Sequence, residues 1–304
     1  MEFLYLLESI RIPGLNEFML LVTRLGEETA FLVAALIVFW CVDKRHGYYL
    51  MTVGFIGTMA NQFMKLWFRV PRPWVLDENF TILEQAREAA SGYSFPSGHS
   101  QSGVGTFGAV AATAKTKWVK WVCIAICVLV PLSRMYIGVH TPSDVLVGAG
   151  MALILVGLLK KPIVEHTDKA MKPLIALMLA MAVGQLLFVE KYPFPANVDV
   201  HNLESGVKNA YTLIGCILGV AVIYVLEKKY VNFETKAVWW AQILKAVLGL
   251  AVVLAVKEGM RAPLDNLFSG HLAARAVRYF LIVAVAGGIW PLTFRWFSKL
   301  GVKK

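Results

Sequence analysis

The stretch "LVPLSRMYIGVHTPSDVLVG", residues 129–148, joins two long apolar segments of the chain. It places Arg134, His140 and Asp144 close together in sequence. Ionisable side chains are costly beside membrane-length apolar segments, and where they occur they often mark functional sites. The stretch therefore predicts a polar site at the point where two apolar helices meet.

The composition of the whole chain indicates a membrane protein. Of its 304 residues 58% are hydrophobic and 16% are charged, whereas soluble domains carry about 25% charged residues. The formal net charge of +10 has two interpretations, an acidic partner or the lysine-rich cytoplasmic loops of membrane proteins. We favour the second interpretation and expect no nucleic-acid partner.

Apolar runs predict the number of membrane spans, because a spanning helix needs about 20 mostly apolar residues. A weaker run at 26–42 accompanies eight clearer ones, at 48–66, 98–114, 118–136, 142–160, 172–189, 207–226, 236–257 and 272–297. Residues 2–22 are interrupted by Pro13 and Gly14 and predict a pair of short interfacial helices. We therefore expect an all-α fold: a polytopic membrane helical bundle of about nine transmembrane helices plus N-terminal interfacial helices.

Alternation of these spans brings four polar helix ends to one face of the membrane. They are "MKLWFRVPRPW" (64–74), "FPSGHSQSG" (95–103), "LSRMYIG" (132–138) and "VHTPSD" (139–144). The opposite face collects most of the lysines, so we expect it to be cytoplasmic. The N-terminus is then outside and the C-terminus inside.

The side chains at the polar face have the chemistry of a phosphate site. Lys65, Arg72 and Arg134 supply three cations, and guanidinium groups suit bidentate contact with phosphate oxygens. Ser97 can cap a helix whose first residue, Gly98, lets the backbone approach a ligand. The free N–H groups of such a helix start favour an anion.

A second helix start lies beside a histidine. Thr141 is predicted as the N-cap, Pro142 as the first helical residue and Asp144 as the third. His140 then directly precedes the helix, where Asp144 can orient its ring. The chain has no HExxH sequence and no carboxylate cluster nearby, so we expect no metal and no cofactor.

Each of these residues also has a simpler interpretation. Lys65 and Arg72 can be snorkelling residues at the membrane interface. Asp144 can be a capping acid only, and His99 can be an ordinary hydrogen-bonded loop residue. Their predicted convergence on one membrane face favours a common site.

Three motifs resemble the signatures of the type 2 phosphatidic acid phosphatase (PAP2) superfamily. They are Lys65-x6-Arg72-Pro73, Pro96-Ser97-Gly98-His99 and Ser133-Arg134-x5-His140-x3-Asp144. The resemblance covers roughly residues 20–160 and implies a PAP2-like catalytic membrane core at 1–161. Residues 162–304 are then a C-terminal four-helix transmembrane extension. A nine-span layout with an outside N-terminus is similar to that of glucose-6-phosphatase.

The resemblance implies a metal-independent phosphatase with a phosphohistidine intermediate. His140 would be the nucleophile, Asp144 would orient it, and His99 would be the acid–base group. The residues that would bind the substrate phosphate are Lys65, Arg72, Ser97, Gly98 and Arg134.

The C-terminal half carries further basic residues on the predicted outer face, among them Lys257, Arg261 and His271. A decayed duplication, an accessory set that attracts an anionic headgroup, and plain loop chemistry all remain open for them. Lys245 lies in the middle of a predicted span, where we expect it to point into the bundle.

The expected substrate is a membrane lipid phosphate or pyrophosphate of the phosphatidic acid, phosphatidylglycerol phosphate or polyprenyl pyrophosphate type. The site would open on the extracytoplasmic side of a bacterial plasma membrane. A lipid phosphotransferase with the same intermediate, a membrane transporter or scramblase, and a catalytically inactive binding protein are the alternatives. The sequence does not indicate an oligomeric state.

Overall fold

The computed structural model describes residues 1–87 and 90–301. Most of these are helical and none is in a strand, so the predicted all-α fold is confirmed. The helices before residue 192 are α1 (Glu2–Ser9), α2 (Pro13–Arg24), α3 (Glu28–Ile37), α4 (Lys44–Phe68), α5 (Pro73–Leu76), α6 (Gly98–Thr113), α7 (Lys117–Tyr136) and α8 (Pro142–Lys191). The later helices are α9 (Val200–Leu226), α10 (Trp239–Gly259), α11 (Arg261–Leu267), α12 (Ala273–Ala284) and α13 (Phe294–Phe297). Short π-helical turns extend three of them, at Val38–Val42, Glu227–Val231 and Val285–Ile289.

The predicted count of about nine transmembrane helices is not confirmed. Within the described residues five helices are long and apolar enough to cross a membrane, or six if α2 and the bent continuation Glu28–Val42 form one span. The predicted span at 98–114 corresponds to α6, which has only 16 residues. The predicted span at 48–66 corresponds to α4, whose last turns carry the polar residues Asn61 and Lys65.

Helix α8 covers two predicted spans, 142–160 and 172–189, and the segment between them. This segment is helical, with a break at His166, whose φ of −132° and ψ of 42° depart from helical values. Each arm on either side of the break is longer than the about 20 residues that a span requires.

The chain forms two compact units that interleave along the sequence. The first contains Met1–Ala34, Tyr49–Glu165 and Pro193–Gly206, and the second contains Ala35–Tyr48, His166–Tyr192 and Val207–Lys304. The division of the chain into 1–161 and 162–304 stays a prediction. All the residues of the three motifs belong to the first unit.

Packing of α2 against α7 supports the loop that follows α7. Met19 packs in one apolar cluster with Tyr136, Ile137 and Val139. Arg11 adds polar contacts to this region, because its guanidinium donates to the carbonyl of Tyr136 at 3.0 Å. The loop that carries His140 is therefore held by buried side chains on its N-terminal side.

In the second unit, the mid-span residue Lys245 is fully buried, as predicted. Its Nζ donates to the carbonyl oxygen of Thr235 at 3.0 Å and lies 4.5 Å from the centre of the Phe294 ring. A carbonyl and an aromatic face both attract a cation, and together they offset part of its desolvation.

Candidate active site

The start of α8 has the capping geometry that the sequence predicts. The backbone N–H of Thr141 donates to Asp144 Oδ2 at 2.8 Å, and the N–H of Asp144 reaches Thr141 Oγ1 at 3.4 Å. This reciprocal arrangement fixes the carboxylate at the first turn. His140, directly before the cap, and Asp144 are both about 1% exposed.

Asp144 lies beside the Nδ1 side of the His140 ring. The distance from Nδ1 to Asp144 Oδ2 is 3.5 Å. The hydroxyl of Ser94 lies between the two groups: its Oγ donates to Asp144 Oδ2 at 2.6 Å and is 3.4 Å from Nδ1. Ser94 was not among the residues predicted from sequence, and only its place three residues before Ser97 could have drawn attention to it.

Arg72 lies on the other side of the ring. Its Nη1 is 3.0 Å from His140 Nε2. Its remaining donors go to the backbone carbonyls of Val139 (3.0 Å), Gly92 (3.1 Å) and Ser91 (2.9 Å). Since a guanidinium can only donate hydrogen bonds, Nε2 must be the acceptor. The neutral ring then carries its hydrogen on Nδ1, toward Asp144, and a lone pair on Nε2.

The surroundings keep this histidine in its neutral form. Burial, followed by the charges of Arg72 and Arg134, holds the pKa of His140 well below its usual range. Burial also lowers the pKa of Arg72 to about 10, while the carboxylate of Asp144 acts in the opposite direction. At neutral pH the site therefore combines a charged guanidinium with an uncharged imidazole.

Two further cations are buried in the same unit. Lys65, which is 7% exposed, donates from Nζ to the carbonyls of Tyr93 and Ser94. Arg134, which is 1% exposed, donates from Nη1 to Thr23 Oγ1 at 2.8 Å. The Nε of Arg134 is buried and has no hydrogen-bond partner within the described part of the chain. That unsatisfied donor is free to bind an anion.

The start of α6 is tied to the start of α8. Ser97 caps α6 as predicted, accepting from the N–H of Ser100 at 3.3 Å, and its own N–H donates to the carbonyl of Asp144 at 2.9 Å. Close approach of the two helices depends on Gly148, because a Cβ there would lie 2.5 Å from the carbonyl oxygen of Ser97. His99 follows Gly98 in the first turn of α6.

The structure thus brings most of the predicted residues into one buried region. The charges of Arg134, Arg72 and Lys65 act on both His99 and His140. Within residues 1–87 and 90–301, no group of three or more His, Cys, Asp or Glu side chains forms a potential metal-binding set. The predicted accessory residues Lys257, Arg261 and His271 belong to the second unit.

Two family models match the chain. The PAP2 superfamily model matches residues 45–166, which include the three motifs, and the model of the "PAP2 superfamily phosphatase, transmembrane extension" matches residues 211–303. No solved structure matches the chain.

Three curated relatives are named for lipid substrates. Phosphatidylglycerophosphatase B of Bacillus subtilis (strain 168) is 31% identical over 164 residues, which are 50% of this chain and 76% of the relative. Undecaprenyl-diphosphatase BcrC of the same organism is 28% identical over 117 residues, or 38% of this chain and 57% of the relative. Undecaprenyl-diphosphatase of Sulfolobus acidocaldarius is 29% identical over 148 residues, or 48% of this chain and 70% of the relative. The chain belongs to the PAP2 superfamily and is an integral membrane protein.

Proposed function

We propose that this protein is a membrane phosphatase that hydrolyses lipid phosphates or pyrophosphates through a phosphohistidine at His140. The observation that carries the proposal is the 3.0 Å separation of Arg72 Nη1 from His140 Nε2. This contact fixes the tautomer that has its lone pair on Nε2, and when a bound phosphate oxygen takes over the Arg72 N–H, that lone pair becomes free to attack phosphorus. Membership of the PAP2 superfamily and the relatives' names support a phosphate-cleaving hydrolase that acts on membrane lipids.

In the first step, Nε2 of His140 attacks phosphorus and the bond from phosphorus to the leaving oxygen breaks. The imidazole becomes positively charged, and Asp144, next to Nδ1–H, stabilises that charge. His99 gives its proton to the leaving alkoxide or phosphate oxygen. A bound phosphate brings negative charge among the three cations, which favours the protonated form of His99 before this step.

In the second step, water attacks the phosphorus of the phosphohistidine. His99, now neutral, takes the proton of the water. The bond between Nε2 and phosphorus breaks, its electron pair returns to the ring, and inorganic phosphate leaves.

Lys65, Arg72 and Arg134 neutralise charge on the non-bridging oxygens in both steps. Such groups are effective when they are fixed in advance in a water-poor site, because they need not reorganise during the reaction. The three side chains are at most 7% exposed. Ser97 and the N–H of Gly98 add neutral donors from the start of α6. No residue in this scheme requires a metal ion.

We further propose that the site faces the extracytoplasmic side of a bacterial plasma membrane. The support is the distribution of lysines predicted from sequence. Phosphatidic acid, phosphatidylglycerol phosphate and polyprenyl pyrophosphate are the candidate substrates.

Phosphate release by the purified protein tests the proposal directly. The three lipid substrates and a sugar phosphate are each incubated with the protein in EDTA, with water as the sole acceptor. We expect release from at least one lipid, and a rapidly quenched reaction should contain acid-labile, alkali-stable phosphate bound to the protein. Activity that EDTA abolishes would contradict a metal-free mechanism, and release only in the presence of a second lipid would indicate a phosphotransferase.

A further inference from the structure

A cavity of about 440 Å³ in the second compact unit is lined by basic side chains. They are Lys208, Lys257, Arg261, His271, Arg275 and Arg278. The set lies near the start of α9, the end of α10, α11 and the start of α12. We infer that this cavity is a second anion site, which binds the phosphate group of a phosphomonoester or pyrophosphate without cleaving it.

The charges of the cavity favour an anion. Glu258 and Asp265 are the acidic residues in the lining, against five lysines and arginines. One carboxylate is engaged locally, since Glu258 Oε1 is 3.5 Å from Lys257 Nζ. Among the described residues, Arg261 and Arg278 make no ion pair, so their charge is available to a ligand.

Two arginines of α12 flank one aromatic ring. The guanidiniums of Arg275 and Arg278 lie 5.5 and 5.6 Å from the ring centre of Tyr279. Arg275 also donates from Nε to Thr212 Oγ1 at 2.5 Å. The Nε of Arg278 is buried and has no hydrogen-bond partner within the described residues. An oxygen-rich ligand would satisfy that donor.

His271 can also donate to a ligand. Its Nδ1 accepts a hydrogen bond from the backbone N–H of Ala273 at 3.1 Å. The neutral ring therefore carries its hydrogen on Nε2. Together with the guanidiniums, the ring supplies hydrogen-bond donors to the oxygens of a phosphate group.

The volume admits more than a bare phosphate ion. Small-molecule sites have volumes of about 300–1,000 Å³, so the cavity has room for a phosphate with a glycerol or a second phosphate attached. A lipid headgroup and a soluble phosphate share this chemistry. Among the described residues His271 forms no ion pair with an acidic residue of the cavity, unlike His140 with Asp144. The inference does not depend on hydrolysis at His140.

Stoichiometry of binding tests the inference. The full chain carrying His140→Ala, which prevents turnover, is titrated in a neutral detergent with inorganic phosphate, dioctanoyl phosphatidic acid or dioctanoyl phosphatidylcholine. The same titrations are repeated with a protein that carries Arg261→Gln and Arg278→Gln in addition to His140→Ala. The matched control carries Lys191→Gln and Lys229→Gln, which remove the same charge from exposed positions of the same unit.

We expect the double arginine variant to lose one equivalent of a phosphate-bearing probe, and the lysine control to keep it. Loss of affinity should be at least about tenfold for each guanidinium, since hydrogen bonds to charged groups contribute about 1.5–3 kcal/mol. Binding of inorganic phosphate as well as the lipid indicates that phosphate alone suffices, whereas binding of the lipid only indicates a headgroup site. If the active-site proposal fails, the equivalent of probe assigned to the active site is affected and not the one in the cavity. The two failures are therefore distinguishable.

An unchanged stoichiometry in the double arginine variant would overturn the inference, as would equal binding of phosphatidylcholine. Thermal unfolding of all variants monitors folding. If the double variant does not fold, Lys257→Gln replaces it, because that side chain is 45% exposed and its removal leaves the packing intact. It should weaken binding of phosphatidic acid several-fold, and wild-type affinity would contradict the inference.

Discussion

The active site of the first unit and the basic cavity of the second hold their cations in different ways. In the active site, Lys65, Arg72 and Arg134 are at most 7% exposed and are hydrogen-bonded to carbonyls or a hydroxyl. In the basic cavity, the side chain of Lys257 is 45% exposed and Arg261 is exposed as well. Buried cations that are already oriented can stabilise a transition state. Cations that remain hydrated can bind an anion but are poorly arranged to assist bond breaking, which separates a reacting site from a binding site.

Among the variants that test this contrast, His140→Ala should have the largest effect on the rate of phosphate release. Removal of the nucleophile should lower the rate of phosphate release roughly 10⁴-fold or more. The measurement is kcat with the preferred lipid substrate. His201→Ala is the control, since His201 is an exposed histidine of the same unit, and it should retain wild-type activity. A His140→Ala protein with substantial activity would place the reaction elsewhere.

Arg72→Lys should have the next largest effect. The guanidinium contacts His140 Nε2 and three carbonyls at once, and a lysine ammonium cannot reproduce that planar set. We expect kcat to fall about 10²–10³-fold, as for the loss of an oriented transition-state donor. Arg87→Lys is the matched control, because Arg87 is exposed, forms an ion pair with Glu84 and lies over the Trp74 ring. Equal activity of the two variants would show that charge alone suffices at position 72.

Much of the first unit's site could be predicted from sequence because its residues occupy local motifs. The caps at Ser97 and Thr141 follow from short-range rules, and they fix the starts of α6 and α8 and with them the positions of Gly98, His140 and Asp144. The acceptors of Lys65 and Arg72 could not be predicted. They include the backbone carbonyls of residues 91–94 and 139, and contacts to backbone carbonyls cannot be predicted from a pattern of side chains.

The fold was less predictable at the level of spans. Hydropathy predicted two separate spans at 142–160 and 172–189, whereas the backbone continues as a helix from Pro142 to a break at His166. Pro162, about one turn before the break, is the feature of the sequence that could have indicated it. Lys245 was predicted to be buried, but its acceptor, the carbonyl of Thr235, lies ten residues away in a non-helical segment. Tertiary contacts of this kind leave no periodic pattern.

Ser94→Ala should have a moderate effect, because Ser94 positions Asp144 rather than contacting the substrate. Loss of its 2.6 Å hydrogen bond leaves the carboxylate oxygen with Thr141 N–H and the imidazole. We expect kcat to fall about tenfold with KM nearly unchanged. A tenfold change corresponds to the free energy of about one hydrogen bond to a charged group. Ser94→Thr should restore part of the rate, which a purely structural role would not predict. Ser91→Ala, at an exposed position three residues away, is the control.

The protonation of His140 gives a smaller but direct readout of the buried environment. Because burial and Arg72 lower its pKa, Nε2 should stay unprotonated as the pH falls through the usual histidine range near about 6.5. The unfolded chain binds this proton at a higher pH than the native state does, so the free energy of unfolding should decrease on acidification below that range. The ¹⁵N shift of His140 in the substrate-free protein, assigned with His140→Ala, reports the titration. A shift that titrates in the ordinary range would contradict the neutral buried ring.

The smallest expected effect is that of salt, which should weaken anion binding in the basic cavity more than it lowers kcat at the active site. The Debye length falls from about 10 Å at 0.1 M to about 3 Å at 1 M ionic strength, and this screening acts on exposed charges far more than on buried ones. Binding of inorganic phosphate to the basic cavity of the His140→Ala protein should therefore weaken several-fold between 0.1 and 1 M KCl. Under the same change, kcat of the wild-type protein at saturating substrate should vary by less than about twofold, because Arg72 and Arg134 are already desolvated. Comparison at saturation removes the effect of salt on substrate capture. A parallel loss of both quantities would mean that the cations of the first unit are open to solvent during turnover, and the contrast between the two sites would then be one of residue chemistry and not of burial.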